Sequence, residues 1–267
     1  MTDARSLLAT ANHILVHEGI LDAYGHVSVR DPDSERNFLL ARYLPPSLVT
    51  PGDIRAFGFD GDLVVPEETG LYSERFIHAA VYEARPDVGA VCHTHAPDLV
   101  AFGIAGVEPR PVFHMAAPLG SSIPVFDDYD AGSGLLISDL GQARRLAGVL
   151  GARAAALMRG HGAVVTGKSL EEVVPRAIYL AQNARITLAA LSLSGKVTVL
   201  SEAECRAAAA KNGRPASLHR AWSHFAAMAG EERGADGAAE PPEASGPAAV
   251  TLPPARLRPG MDDVGDE

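Results

Sequence analysis

Short strands alternate with amphipathic helices along most of this chain, and that alternation restricts it to a mixed α/β fold. The apolar residues of the first helix recur at helical spacing before Gly19 and are Leu7, Leu8, Ala11, Ile14 and Leu15. We predict strands at 25–30, 38–40, 63–65, 90–94, 154–158 and 163–166, and further helices at 73–85, 98–104 and 169–192. These elements predict a single α/β domain over residues 1–229.

Capping residues locate two of the predicted helix starts. Ser73 is the predicted N-cap of the helix that ends before Pro86. Ser169 and Glu172 form a predicted capping box for the long C-terminal helix. Pro175 lies inside that long helix and should kink it, because proline cannot donate to the preceding turn.

Composition excludes several classes of protein. Two cysteines are too few for a disulfide framework, and they fit a reducing compartment. The formal net charge is −10 and no basic stripe is interleaved with aromatic residues, which argues against a nucleic-acid partner. No apolar run approaches the ~20 residues of a membrane span, and residues 1–10 lack the apolar region of a signal peptide. We therefore expect a soluble, cytoplasmic protein without a membrane partner.

The composition changes at about Gly230. From there to Glu267, Ala, Gly, Pro, Glu and Asp dominate and large apolar residues nearly vanish. Such a segment cannot offset its ordering entropy by burying apolar surface. We predict that residues 230–267 are a disordered acidic tail.

Two histidines flank Thr94 near the end of the predicted strand 90–94. Side chains alternate along a strand, so His93 and His95 point to the same face. At this spacing both imidazoles can reach one ion at ~2.0–2.1 Å. Pro97 ends the strand, and sites in α/β sheets collect at such C-terminal ends. Taken alone, the pair fits a metal site and two half-exposed histidines equally well.

A third histidine, His161, lies between Gly160 and Gly162 in a predicted tight turn between two apolar strands. The glycines permit a close backbone approach and leave room around the imidazole. A hairpin turn with an incidental histidine is the structural alternative. Three histidines with an open position are typical of a catalytic metal site, whereas structural zinc sites usually have four protein ligands. We predict that His93, His95 and His161 hold one divalent ion.

Glu74 lies in the first turn of the predicted helix 73–85. The helix dipole favours an anion there by ~0.3–1 kcal/mol. From the residue alone, a helix-start carboxylate without a further role is the better interpretation. A catalytic role for Glu74 depends on the other motifs of the chain.

Five segments, in this order, resemble the class II aldolase/adducin family. They are GHVSVR at 25–30, SERFIHAAVY at 73–82, VCHTHAP at 91–97, MRGHGAVVTGKSLEEV at 158–173 and YLAQNAR at 179–185. The resemblance extends over residues 6–200. Its specificity comes from the combination of His-Thr-His, Gly-His-Gly and Ser-Glu motifs at these separations.

The resemblance implies a three-layer αβα fold around a central, mainly antiparallel sheet. It also implies a homotetramer with active sites at subunit interfaces. In the family the matching histidines, His93, His95 and His161 here, ligate a divalent ion. The match to Glu74 is the acid/base residue and sometimes a metal ligand. Zinc is the expected metal, with manganese or iron as alternatives, because three imidazoles suit all of them.

Departures from the sugar-phosphate aldolases of the family bear on the substrate. Those enzymes carry Asn where His26 stands and a serine-glycine pair where this chain has Gly52-Asp53. They also have two serines before the Glu, the first of which is Tyr72 here. In those enzymes the replaced side chains cradle the substrate phosphate. Their loss, with the negative charge of Asp53, argues against a phosphorylated substrate.

A further stretch resembles the decarboxylase members of the family. It comprises RPVFH at 110–114, PLG at 118–120 and PVF at 124–126. Those members act on hydroxylated aromatic or pyridine carboxylic acids, and a histidine matching His114 lies near their metal. The resemblance implies that Glu74 or His114 delivers a proton to the ring carbon. Considered without the family, His114 is more typical of a packed or surface histidine.

The expected substrate is a small carboxylic acid that chelates the ion through its carboxylate and an adjacent oxygen. The ion would stabilise the enolate-like charge that develops as carbon dioxide leaves. An arginine suits a second carboxylate by bidentate geometry, although an ion pair is the somewhat better interpretation of Arg159. The candidate substrate contacts are His26, Ser28, Ser73, Arg75 and Arg159.

Three alternatives remain open at this point. A metal-dependent aldolase or epimerase acting on a non-phosphorylated hydroxy-carbonyl substrate would use the same residues. An iron-dependent oxygenase would consume oxygen. A non-catalytic adducin-like interaction module ranks lowest, because such modules lose the metal ligands that this chain retains.

Overall fold

The computed structural model describes residues 3–231, in which seven strands and seven α-helices alternate. In chain order they are α1 (Ala4–His17), β1 (His26–Arg30), β2 (Asn37–Ala41), β3 (Ile54–Gly58), α2 (Arg75–Ala84), β4 (Ala90–Thr94), α3 (Pro97–Ala105), β5 (Val125–Phe126), α4 (Leu140–Leu150), β6 (Ala155–Met158), β7 (Gly162–Gly167), α5 (Leu170–Ser194), α6 (Glu202–Asn212) and α7 (Pro215–Met228). Three short 3-10 helices lie in the connections. The predicted α/β class is therefore confirmed.

All seven strands form one sheet in the order β3-β2-β1-β4-β7-β6-β5. Every neighbouring pair is antiparallel except β5 and β6, as expected for a mainly antiparallel sheet. The register places His26 of β1 directly opposite His93 of β4. Because paired residues on neighbouring strands share a face, these two imidazoles stand side by side.

Helices cover both faces of this sheet. His78 of α2 bonds the His26 side chain, so α2 lies on the face that carries His26 and His93. The Thr94 hydroxyl instead donates to the carbonyl of Ile20, which follows α1. Since Thr94 and His93 are adjacent on one strand, their side chains point to opposite faces. The arrangement is the predicted three-layer αβα sandwich, with α4 packed against α2 and with α5 contacting α1, α3 and α7.

The central strands are buried from end to end. All residues of β4 and of β7 are buried, because helices exclude water from both of their faces. Their side chains are therefore largely small or β-branched and apolar. The exceptions include His93, and a buried imidazole on such a strand requires specific partners.

Two segments differ from the predicted secondary structure at one edge of the sheet. The predicted strand 63–65 is wrong, because only Leu63 forms an isolated bridge, to Phe57, while Val64 and Val65 are exposed. The edge is formed by β3, which the sequence pattern did not predict. Helices α4, α6 and α7 were also not predicted, and α6 buries only Cys205 and Ala208, too few residues for a clear apolar period.

The predicted caps are only partly correct. Helix α2 begins at Arg75 with Glu74 in the N-cap position, and Ser73 lies exposed in the preceding turn. Ser169 is the N-cap of α5, but Glu172 accepts from the backbone amide of Lys168, so the predicted capping box does not form. Helix α5 is continuous through Pro175.

The described part of the predicted tail packs against the domain. The carboxylate of Glu231 contacts the side chains of Thr10 and His13 in α1. The rest of the predicted tail, from residue 232, lies outside the described residues. None of the helices between residues 3 and 231 combines the length and the apolar character that crossing a bilayer requires.

Candidate metal centre

Four side chains from distant parts of the chain converge at one end of the sheet. His93 and His95 come from the end of β4, His161 from the β6–β7 turn, and Glu74 from the start of α2. The Nε2 atom of His95 lies 3.0 Å from that of His93 and 3.1 Å from that of His161. Glu74 Oε2 lies 3.3 Å from Nε2 of both His93 and His161. All four ligand atoms lie within 4.8 Å of one another.

These separations fit a shared divalent cation. In a tetrahedral site with metal–ligand bonds of ~2.0–2.1 Å, neighbouring ligand atoms are ~3.3–3.4 Å apart. The observed distances of 3.0–3.3 Å are close to that value. Imidazole nitrogens with a carboxylate oxygen are also a usual donor set for zinc, manganese or iron. The structure thus brings together the three predicted ligands and places beside them Glu74, which the family resemblance also allows as a ligand.

Each imidazole is oriented by a bond at its other nitrogen. His161 Nδ1 lies 2.6 Å from the carbonyl oxygen of Leu135, and His93 Nδ1 lies 3.2 Å from that of Ala163. His95 Nδ1 lies 3.1 Å from the Asp22 carboxylate. Because all three acceptors require an N–H donor, each Nδ1 carries the proton and each Nε2 presents its lone pair to the centre.

Glu74 is buried and ionised. Its Oε1 accepts from the backbone amide of Ile137 at 3.3 Å, which leaves Oε2 facing the imidazoles. Burial by itself would raise the pKa of Glu74, but His93 and His161 beside its carboxylate bring that pKa below its usual range. A positive charge at this position, carried by protons or by a metal ion, therefore favours the carboxylate form.

One loop holds two of the four residues, and sequence reasoning missed it. Leu135 provides the carbonyl for His161, and Ile137 provides the amide for Glu74. Leu135 has a φ of +68° and is the one non-glycine residue with positive φ between residues 3 and 231. Such a conformation is uncommon for a branched side chain and is often retained at functional sites. No residue type in the sequence signals it in advance.

The glycines around His161 have the predicted role. Gly160 has a φ of +68°, which favours glycine. A Cβ atom at position 162 would lie 1.9 Å from the carbonyl oxygen of Thr94. Only a residue without a side chain lets β7 approach β4 this closely, and that approach carries His161 to His95.

His26 is the one predicted substrate contact that lies directly beside the cluster. Its ring centroid is 5.2 Å from that of His93 and 4.6 Å from that of Tyr72. Its Nδ1 lies 2.6 Å from Nε2 of His78, which the sequence did not single out. Burial lowers the pKa of His26 well below its usual value and that of His78 to about 3, so both rings are neutral.

Ser28 belongs to the core and not to a substrate surface. Its side chain has no exposed area, and its hydroxyl bonds His78 Nδ1 at 2.6 Å and the Tyr82 hydroxyl at 2.9 Å. The predicted direct contact between Ser28 and a substrate does not fit this position, because no ligand atom can reach it.

The two predicted arginine contacts have structural partners. Arg75 donates to the carbonyl oxygens of Gly61 at 2.6 Å and Tyr72 at 3.1 Å, and its guanidinium lies 4.3 Å from the Phe76 ring centroid. Arg159 forms an ion pair with Asp127, in agreement with the structural interpretation of that residue. Neither guanidinium needs a substrate carboxylate to satisfy it.

His114 and Ser73 lie on the surface of the described chain. His114 is exposed and its Nε2 lies 3.1 Å from Oδ1 of Asn212 in α6. It is not part of the four-residue cluster. Ser73 precedes Glu74 in the chain, but its side chain is exposed. Within one chain, neither residue is brought to the proposed ligands.

Substitution of Asp22 tests whether its carboxylate orients the His95 ring. Partial burial of the Asp22 carboxylate raises its pKa, but the amides of Tyr24 and Gly25 and the His95 ring lower it by more. The pKa of Asp22 is therefore below its usual value, and the side chain stays ionised. Asp22→Asn keeps the size of the side chain but removes its charge. Since loss of such a partner typically costs ~10–100-fold in metal affinity, we expect a decrease in that range. Competition with a chromophoric chelator measures it.

Asp31→Asn is the matched control for this substitution. Asp31 also accepts a local backbone bond, from Asp33, but contacts no metal-site histidine. Its substitution should leave the affinity unchanged. Equal affinities for the Asp22 variant and the unmodified chain would contradict a role for Asp22 in orienting His95.

The sequence of this chain is similar to those of known proteins of one family. Residues 6–188 match the family described as Class II Aldolase and Adducin N-terminal domain. Decarboxylase tropJ of Talaromyces stipitatus is 38% identical over 197 residues, which cover 68% of this chain and 74% of that protein. The 3,4-dihydroxyphthalate decarboxylase of Arthrobacter keyseri is 30% identical over 236 residues, or 83% of this chain and 92% of the relative.

Solved structures share the fold. The L-fuculose 1-phosphate aldolase from Glaciozyma antarctica has a TM-score of 0.70 at 21% identity, over 84% of this chain and 87% of that one. An aldolase II superfamily protein from Pseudomonas syringae has a TM-score of 0.70 at 24% identity, with 84% and 91% covered. By its profile match, its fold and its similarity to these decarboxylases, the chain belongs to the class II aldolase/adducin family.

Proposed function

We propose that this protein is a divalent-metal-dependent lyase that decarboxylates a hydroxylated aromatic or heteroaromatic carboxylic acid. The observation that carries the proposal is the convergence of His93, His95 and His161 with an ionised Glu74. The similarity to a decarboxylase and to a 3,4-dihydroxyphthalate decarboxylase supports the choice of reaction. The replaced phosphate-binding positions argue against a sugar phosphate as the substrate.

The residues of this chain divide the chemistry among them. A bound ion would supply Lewis-acid stabilisation of negative charge on substrate oxygens. Glu74 takes the proton of a ring hydroxyl and returns it to the ring carbon that bears the carboxylate. The bond between that carbon and the carboxylate then breaks and carbon dioxide leaves. The electron pair of the broken bond stays with the ring. The ring oxygen regains a proton from water.

Glu74 is favoured over His114 for this proton transfer within one chain. Its Oε2 lies among the imidazoles, whereas His114 is bonded to Asn212. His114 would reach a metal centre only from a neighbouring subunit, as part of the homotetramer with interfacial sites that we also propose. Sedimentation of the full chain in solution tests the tetramer.

The decisive assay measures carbon dioxide. The full chain is loaded with zinc, manganese or ferrous iron and incubated with 3,4-dihydroxyphthalate and with monocarboxylic hydroxybenzoates. We expect metal-dependent carbon dioxide release that a chelator abolishes. Release of an aldehyde and a ketone without carbon dioxide would replace the proposal with an aldolase activity. Oxygen uptake with ferrous iron would point to an oxygenase.

The metal and the compartment are parts of the same proposal. Zinc is our first choice, with manganese and iron as alternatives, and elemental analysis of the purified protein distinguishes them. We place the protein in the cytoplasm because Cys92 and Cys205 are both unpaired thiols. Neither nucleic acid nor a membrane is expected as a partner.

A further inference from the structure

A hydrogen-bonded chain of four side chains runs through the core behind the metal centre. Tyr82 hydroxyl lies 2.9 Å from Ser28 Oγ, which lies 2.6 Å from His78 Nδ1. His78 Nε2 lies 2.6 Å from His26 Nδ1. None of the four side chains is more than 2% exposed. In such surroundings every polar hydrogen needs an acceptor, so the direction of the chain can be deduced.

The Tyr82 hydroxyl sets one end of this chain. Its side-chain hydrogen-bond partner between residues 3 and 231 is Ser28 Oγ. The Val91 backbone also lies beside the phenol oxygen and lowers the pKa of Tyr82, which is the effect of a donor and not of an acceptor. If Ser28 donated to Tyr82, the phenol proton would be left buried without an acceptor, which is costly. Tyr82 therefore donates to Ser28. The one proton of the Ser28 hydroxyl is then donated to His78 Nδ1.

The same count of donors and acceptors determines which nitrogen carries the proton in each of the two histidines. Because His78 Nδ1 accepts, the neutral ring carries its proton on Nε2 and donates it to His26 Nδ1. Because His26 Nδ1 in turn accepts, neutral His26 carries its proton on Nε2. Every hydrogen bond in this row is therefore donated in the direction from Tyr82 toward His26, and the Nε2–H of His26 is left as a free donor.

That free nitrogen belongs to a ring that packs beside the cluster. His26 Nε2 has no hydrogen-bond partner among the described residues, yet it is not one of their fully enclosed unpartnered atoms. Its ring stands beside His93, a proposed ligand. His26 itself is not part of the ligand cluster. A protonated Nε2 has no lone pair for a metal, so this tautomer also keeps His26 out of the coordination sphere.

We propose that His78, Ser28 and Tyr82 are positioning residues that lock His26 as a neutral N–H donor toward a substrate oxygen. The site would then prefer an acid that presents an acceptor there, such as a second carboxylate or an ionised ring hydroxyl. An asparagine amide, as in the sugar-phosphate aldolases, can donate or accept by rotating, but the locked imidazole can only donate. The preference rests on the proposed function, whereas the tautomer does not.

The tautomer is tested directly by nitrogen NMR. The full chain, labelled with 15N-histidine and loaded with diamagnetic zinc, is recorded at pH 7, and the His26 signals are assigned with His26→Gln. We expect a protonated Nε2 and a bare Nδ1 for His26. A proton on Nδ1 with a bare Nε2 would overturn the proposal. This result does not depend on any turnover, so failure of the decarboxylation assay leaves it interpretable.

Substitutions at His78 test its positioning role. His78→Gln keeps an amide donor near the position of Nε2, whereas His78→Asn reaches only toward Ser28. Loss of a bond to a charged substrate oxygen costs about tenfold in affinity, so His78→Asn should raise KM for 3,4-dihydroxyphthalate about tenfold with a smaller change in kcat. His78→Gln should restore KM to within about twofold.

The exposed His224 on α7 supplies the control, and His224→Asn should leave both constants unchanged. Two outcomes would contradict the positioning role. One is a His78→Asn variant with the unmodified KM. The other is an equal loss in the Gln and Asn variants, which would indicate a steric role for His78 without specific donation. If either variant fails to fold, the NMR result on the unmodified chain still decides the tautomer.

Discussion

His161→Ala is expected to weaken binding of the divalent ion by more than ~100-fold, beyond the usual cost of losing a residue that only orients a ligand. His161 Nε2 lies 3.1 Å from His95 Nε2 and 3.3 Å from Glu74 Oε2, at the centre of the cluster. Its removal takes away one of the four converging donors and leaves only His93, His95 and Glu74, with no side chain from the β6–β7 turn to close the site. Metal content after dialysis against a chelator, with carbon dioxide release, measures the effect.

Circular dichroism should show a folded protein in this variant, because the turn keeps Gly160 and Gly162 and His161 is not part of the hydrophobic core. Asp22→Asn provides an internal scale, since it changes only the orientation of His95 and should fall between the unmodified chain and His161→Ala. A His161→Ala protein that retained one tightly bound ion per chain would exclude the proposed centre.

Glu74→Gln is expected to retain the ion and to lower kcat by ~10²–10⁴-fold, the usual contribution of a general acid/base. The amide has nearly the same shape, and its oxygen can still accept from the Ile137 amide. It cannot take up and return a proton. Elemental analysis together with steady-state kinetics on the same preparation separates the loss of turnover from a loss of metal.

Glu83→Gln is the matched control, because Glu83 lies on the same helix and pairs with Arg144 at the surface. Such exposed pairs contribute little, so its kinetics should match those of the unmodified chain. If Glu74→Gln turned over substrate at the unmodified rate, Glu74 would be limited to binding the metal or to structure. A joint loss of metal and activity would assign it mainly to the ligand set.

Part of the fold was readable from periodicity. The helix at Ala4–His17 and the strand at Ala90–Thr94 have clear apolar patterns, and they were predicted within a few residues. Helix α6 was missed because its sequence is rich in alanine and charge and has almost no apolar face. The edge strand β3 was missed because Pro51 and Gly52 before it indicate a loop. Edge strands depend on pairing with a neighbour more than on their own pattern.

The candidate site was also predictable only in part from the sequence. His93, His95 and His161 were identified by their motifs, and the structure places all three around one point. Asp22 and the carbonyl of Leu135, which orient two of those rings, carry no local motif. Backbone carbonyls can be supplied by any residue, so the sequence cannot mark which of them will accept a bond.

The surroundings of His26 show most clearly what the sequence could not reveal. Its position in the Gly-His motif was visible, but the buried row of His78, Ser28 and Tyr82 behind it was not. Ser28 and Tyr82 are more than fifty residues apart, and only strand register and helix packing bring them together.

By itself, the sequence determined the alternation of elements, the identities of the proposed metal ligands and the glycines that allow their approach, because these depend on residue type and local spacing. The tertiary structure alone decided which nitrogen of each imidazole faces the centre of the cluster, that Glu74 lies beside the three histidines, and that Ser28 and the two arginines have partners within the framework. Those properties depend on which donors and acceptors meet in space, and that is set by packing across the whole sheet.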